Sequence, residues 1–135
     1  MFIMKKLVKV IGAIVENENN EILCALRSPR MSLPNMWEFP GGKIEKDETF
    51  KQAIEREISE ELSCRVEFID VFNDTTHEYD EIIVNLVTAR CKLTSDIPTA
   101  SEHSKLIWLH RENLLSLDWA PADIPAVKKL VQEKV

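Results

Sequence analysis

Positive charge is in short supply in this chain. Its 135 residues hold 17 lysines and arginines against 23 aspartates and glutamates, a net charge of −6. Holding a nucleic-acid backbone requires a basic face, so general nucleic-acid binding is excluded. A free nucleotide, whose phosphates can arrive with metal ions, is not. Cysteine is scarce as well. Cys24, Cys64 and Cys91 are odd in number, show no C-x-x-C spacing and lie in apolar surroundings. They read as small core residues of a protein kept in a reducing compartment. Long hydrophobic runs are missing: the longest, Leu7 to Val15, is interrupted by Lys9 and is far too short to cross a bilayer. The opening Met1-Phe2-Ile3-Met4 precedes its lysines, and no small-residue cleavage site follows, the wrong order for a secretory signal. Repeats, linkers and low-complexity stretches are absent. The expectation is a cytoplasmic protein with no membrane segment.

What is present fits one domain over residues 1–135. A chain of this length buries about two thirds of its unfolded surface, and 44% hydrophobic with 30% charged residues is an ordinary globular mixture. Leu7 to Val15 reads as a buried strand. After the polar turn Glu16 to Asn20, Glu21 to Arg27 alternates, with Ile22, Cys24 and Leu26 on one face, and completes a hairpin. Ser28 to Asn35 is a loop with two prolines, and Trp37-Glu38-Phe39-Pro40 a short extended piece. A helix follows from about Thr49 to Leu62, with Asp47 or Glu48 as the acidic neighbour of its N-terminus. Arg65 to Asn73 is a strand, Asp74 to Asp80 a polar turn, and Glu81 to Leu93 a strand apolar on both faces, hence central. Lys105 to His110 is a further strand, Arg111 to Leu117 a helical turn, and Asp123 to Val135 a closing helix. Strands outnumber helices, which implies an α+β fold, a mixed sheet with helices on both faces.

The stretch Gly41 to Cys64 carries the chemistry. Glu57, Glu60 and Glu61 stand at i, i+3 and i+4, so a helix stacks them on one side. At about 5 Å and an effective dielectric near 20, each like-charged pair costs roughly 3 kcal/mol before screening. They border the apolar stripe of Phe50, Ala53, Ile54, Ile58 and Leu62 rather than lying opposite it. Carboxylates are rarely kept beside a core without a partner, and a divalent cation turns the repulsion into binding.

Gly42, Glu48, Arg56, Glu57, Glu60 and Glu61 fit the pattern G-x5-E-x7-R-E-U-x-E-E-x-G-U, with Ile58 as the first aliphatic U. Six fixed positions coincide by chance in about one window in ten million at average residue usage. The stretch resembles the Nudix box. Two positions depart from it: Ser63 replaces the glycine and Cys64 the last aliphatic residue. Neither removes a carboxylate, so the departure bears on the helix cap. Trp37 to Lys43 and Ala120 to Pro125 are similar to MutT-type nucleoside triphosphate pyrophosphohydrolases, above all to the branch of the bacterial CTP pyrophosphohydrolases.

This resemblance implies a Nudix-type α/β/α sandwich. It also implies hydrolysis of a nucleoside triphosphate, of cytidine type or an oxidised guanine such as 8-oxo-dGTP, to monophosphate and pyrophosphate. The alternatives are a nucleotide sugar or dinucleotide as substrate, or a catalytically idle binding module. The cofactor implied is Mg2+, with Mn2+ as its substitute, held by Glu57, Glu60, Glu61 and the Gly42 carbonyl. Arg56 orients Glu48 or a catalytic glutamate by a bidentate pair, or is an exposed helix charge. The general base is Glu57 or Glu102, the latter on the loop before the late strand. Arg27, with Arg30 as substitute, and Lys43 are the candidates for the phosphates. Phe39 and Asp123 are the candidates for the base, Asp123 accepting from cytosine N4 or the guanine N1/N2 edge. Asp123 also reads as the N-cap of the last helix. The partner implied is a small nucleotide, the assembly a monomer or homodimer.

Overall fold

The computed structural model describes residues 4–133. Its elements are β1 (Lys6–Glu16), β2 (Glu21–Leu26), β3 (Trp37–Glu38), β4 (Gly41–Lys43), α1 (Phe50–Leu62), β5 (Arg65–Glu78), β6 (Ile82–Ser95), β7 (Lys105–His110) and α2 (Ile124–Gln132), with 3-10 turns at Arg111–Ser116 and Pro121–Asp123. All seven strands join one mixed sheet. β1 runs parallel to β6 along its whole length, from Lys6 opposite Ile82 to Glu16 opposite Lys92. Its other edge is shared. β4 pairs antiparallel with Val10 to Gly12, and β2 meets β1 at Glu16 opposite Ile22. β2 then pairs with β3 on one edge and β7 on the other. The segment from Trp37 to Lys43 therefore bonds first to β2 and then to β1. The crossing is tight: a Cβ on Gly41 would lie 1.9 Å from the Ile11 carbonyl oxygen, a place only glycine fills.

Strand alternation sorts the core into two layers. Ile11, Ala13 and Val15 of β1, Leu23 of β2 and Val87 and Ala89 of β6 pack under Ala53, Ile54, Ile58 and Leu62 of α1. On the opposite face Ile14, Ile22, Cys24 and Phe72 pack against Ala126, Val127 and Leu130 of α2, with Leu114, Phe39 and Trp119. The helices thus cover both faces, the α+β sandwich expected. Among the described residues no helix is long and apolar enough to cross a membrane. All three cysteines are buried and free.

Some boundaries differ from the sequence reading. The polar stretch after Asn73 is strand, not turn. β5 continues to Glu78 because the apolar β6 offers it a paired edge, Asp74 opposite Val87 through Glu78 opposite Ile83. Helix α1 is capped by Thr49, whose hydroxyl accepts from the Gln52 N–H while the Gln52 side chain accepts from Thr49 N–H. This capping box displaces Asp47 and Glu48 from the role. Phe50, the first residue of α1, drops out of the buried stripe and is 41% exposed. At the other end Ser63 adopts φ 51° and ψ 37°, the left-handed conformation for which the box pattern has glycine. Helix α2 ends at Gln132, and the expected last residues Lys134 and Val135 lie outside the described ones.

Candidate active site

Three glutamates of the box end up around one arginine. Arg56 donates from Nε and Nη2 to the two Glu48 oxygens at 2.7 and 2.8 Å, a bidentate pair. Its Nη1 reaches Glu57 at 2.9 Å and Glu60 at 3.3 Å, and its Nη2 also reaches the Lys43 carbonyl at 3.1 Å. One guanidinium therefore ties the approach loop, β4 and two turns of α1 together. The Arg56 hydrogen bonds hold the Glu48 carboxyl down to about 2, and those to Glu48 in turn raise the arginine. The helix-wheel alternative of a solvated Arg56 does not describe this arrangement.

Gly42 lies against the Glu57 carboxylate: a Cβ there would stand 2.4 Å from one oxygen and 2.5 Å from the carboxyl carbon. Lys43 engages through its backbone; its side chain is exposed. Glu60 is mostly exposed, whereas Glu57 is 12% exposed. Glu61 turns inward, and one of its oxygens, Oε2, is buried with no hydrogen-bond partner. Burial pushes this carboxyl up to about 7; Glu57, Glu38 and Glu102 add to the shift and His103 opposes it. Such an orphaned carboxylate oxygen is costly.

Among the described residues no three acidic, imidazole or thiol groups converge as a ready-made metal cage. The donor set nonetheless fits a hard divalent cation. It consists of oxygens alone, the Glu57 carboxylate lies against a glycine small enough to let backbone approach, and Glu61 Oε2 lacks a hydrogen-bond partner. Glu102 is exposed on the loop before β7 and lines a cavity of about 590 Å3 with Ser28, Arg30, Met31, Ser101 and Ser104.

A second group of side chains stands on the β2–β3–β7 side. Arg27, just beyond β2, donates to Glu38 at 2.6 Å, to the Ser32 carbonyl at 2.6 Å and to the Ser32 hydroxyl at 3.0 Å. Its charge is thus already paired. Glu38 receives a second bond, from His103 Nε2 at 2.7 Å. Phe39 does not offer a ring to the cleft. It is 3% exposed and packs on Trp119 with centroids 4.9 Å apart, because Phe39 sits on the α2 face of the crossing segment. Its backbone N–H donates to Asp123 Oδ1 at 3.0 Å.

Asp123 stands at the N-cap position of α2, but its side chain makes no capping bond, being committed to Phe39. It is 6% exposed, and burial pushes its carboxyl up to about 8 against the pull of the Phe39 N–H. Burial thus favours the neutral acid, while Oδ1 accepts from the Phe39 N–H. Tyr79, the one tyrosine, accepts from the Ala122 N–H at 3.0 Å and so props up the turn bearing Asp123.

The sequence reading assigned no role to Glu38 or Tyr79. Glu38 sits in an ordinary alternating tripeptide, and its partners lie 11 and 65 residues away. Only the overlap of Trp37-Glu38-Phe39 with the flanking resemblance pointed there.

Comparison with known proteins agrees over nearly the whole chain. The NUDIX domain family matches residues 6–130. An Escherichia coli CTP pyrophosphohydrolase is 33% identical over 91% of this chain and 90% of its own length. An 8-oxo-dGTP diphosphatase from the same organism is 34% identical over 94% and 98%. The solution structure of a Staphylococcus aureus protein titled DNA mismatch repair protein MutT, family Nudix hydrolase, superposes with a TM-score of 0.79 at 53% identity, covering 97% of this chain and 100% of that one. The folded box, its arginine-centred carboxylates and this coverage together establish that the chain belongs to the NUDIX family of hydrolases.

Proposed function

We propose that this hydrolase cleaves (deoxy)nucleoside triphosphates to the monophosphate and pyrophosphate with magnesium, removing unwanted nucleotides from the cytoplasmic pool. The observation that carries the reading is the unpartnered, buried Glu61 oxygen on α1, together with the Glu57 carboxylate that fills the space a Gly42 side chain would need. Nudix hydrolases use divalent ions; for this chain magnesium is the choice because every donor is oxygen. Glu57, Glu60, Glu61 and the Gly42 carbonyl would hold it. When bound, the ion supplies charge neutralisation to a polyphosphate and acidity to a coordinated water.

The protein's own groups do the rest. Arg56 keeps Glu57 and Glu60 oriented through its bidentate grip on Glu48. Glu57 or Glu102 accepts the proton of the attacking water. Arg27, its charge shared with Glu38, and Lys43 line the approach of the phosphates. Asp123 and the Phe39 backbone border the base. The substrates named for the two E. coli relatives, CTP and 8-oxo-dGTP, frame the choice of base. Three buried free thiols fit a reducing cytoplasm.

The test is a panel of CTP, dCTP, dGTP, 8-oxo-dGTP, a nucleotide sugar and a dinucleotide, with magnesium, read by release of pyrophosphate and monophosphate. One triphosphate should dominate. Glu60→Gln should lower kcat on the order of 100-fold, the upper end for disturbed metal sites, with an unchanged melting curve. A wild-type protein that turns over none of the panel overturns the proposal.

A further inference from the structure

The strongest remaining feature is a locked carboxylate midway along the cleft. Glu38 is held from two sides by residues of two different loops. Arg27, after β2, donates to Oε1 at 2.6 Å, and His103, before β7, bonds Oε2 at 2.7 Å. The His103 side chain is 2% exposed. Since a carboxylate oxygen only accepts, the hydrogen sits on Nε2, and the other ring nitrogen, Nδ1, is buried without a partner. A ring chosen for packing alone has no use for a buried, one-sided bond to an acid, because an unmet ring nitrogen is costly. Glu38 in turn stands one residue before Phe39, whose N–H is bonded to Asp123, and four before Gly42, against which the Glu57 carboxylate lies.

We infer that His103 is a positioning residue for the cleft: its Nε2–H, opposite Arg27, fixes the Glu38 carboxylate against the wall and keeps it from turning toward an incoming polyanion. The inference rests on the nucleotide-hydrolase reading. Without His103, Glu38 keeps one partner and gains rotamers. Its negative charge can then face the phosphates, where like charge weakens ground-state binding. Little changes at the reacting atoms once substrate is seated, so the loss falls on KM and not on kcat.

The experiment compares His103→Leu, which keeps bulk, with His103→Gln, which keeps an amide N–H in reach of Glu38, in the full chain with magnesium and the panel's best triphosphate. His103→Leu should raise KM about tenfold, the worth of one charge-assisted hydrogen bond, with kcat within about twofold. His103→Gln should recover most of the loss. In a Glu38→Gln background the His103→Leu substitution should add nothing further. Unchanged KM, a loss confined to kcat, a His103→Gln variant as poor as His103→Leu, or additive effects with Glu38→Gln would each overturn it. A readout independent of turnover is the long-range 1H–15N spectrum of the imidazole. The inference requires hydrogen on Nε2 in the wild type, and an Nδ1-only tautomer defeats it even if the panel shows no substrate.

Discussion

Replacing Asp123 by asparagine should make the protein more tolerant of rising pH. The carboxyl is buried on the α2 face of the sheet, with Phe39 N–H as its one hydrogen-bond donor, and burial raises it from an ordinary 3.8 to about 8. The sign follows from where the proton stays. Below about pH 4 the group is protonated folded and unfolded, and contributes no slope. Between the two values the unfolded chain releases the proton while the folded one retains it, so stability falls as pH rises, by up to about 1.4 kcal/mol per unit. Above the folded value the slope vanishes. The Asp123→Asn side chain keeps an oxygen acceptor for Phe39 and does not titrate. From pH 5 to pH 7 the wild type should therefore lose about 2–3 kcal/mol relative to Asp123→Asn. Urea unfolding of both proteins at pH 5, 6 and 7, free of metal and nucleotide, measures the difference directly. Stability curves that stay parallel over that range refute the buried, protonated Asp123.

Three further outcomes follow from the geometry. Gly42→Ala places a methyl 2.4 Å from Glu57 Oε2, so magnesium affinity and kcat/KM should drop at least about tenfold with near-native circular dichroism; full activity would show that Glu57 has room to spare. Ser63→Gly relieves a left-handed serine and should raise Tm by about 2–4 °C, equivalent to roughly 0.5–1 kcal/mol; a lower Tm contradicts the cap reading. Burial pushes the Cys24 and Cys91 thiols up to about 12 and raises Cys64, so a thiol reagent at pH 8 should label none of them until urea is added.

How far the chain could be read from its sequence depends on distance along it. Helix α1 and its carboxylates were legible because their logic is local: spacing sets the face, and Glu48, Arg56, Glu57 and Glu60 lie within 13 residues. The position of Ser63 as a left-handed terminus was legible for the same reason. The two-faced core followed from alternation. The extent of β5 did not, because residues 74–78 are polar and become strand through β6, not through propensity. Asp123 has the sequence of a helix cap, yet its oxygen goes to Phe39, 84 positions away. Glu38 and His103 were invisible as a pair for the same cause. No local pattern marks two residues that meet only once β2, β3 and β7 have assembled.

The passage of one short segment from β2 to β1 has a mechanical consequence. Glu38 bonds to β2, Gly42 to β1, and the spacing between the Arg27–Glu38–His103 group and the glycine against Glu57 is set by Phe39, Pro40 and Gly41 alone. The two ends of the cleft cannot drift apart independently. An insertion anywhere among those three residues would detune both at once, whereas the loop at residues 28–35 can lengthen or shorten without altering that ruler.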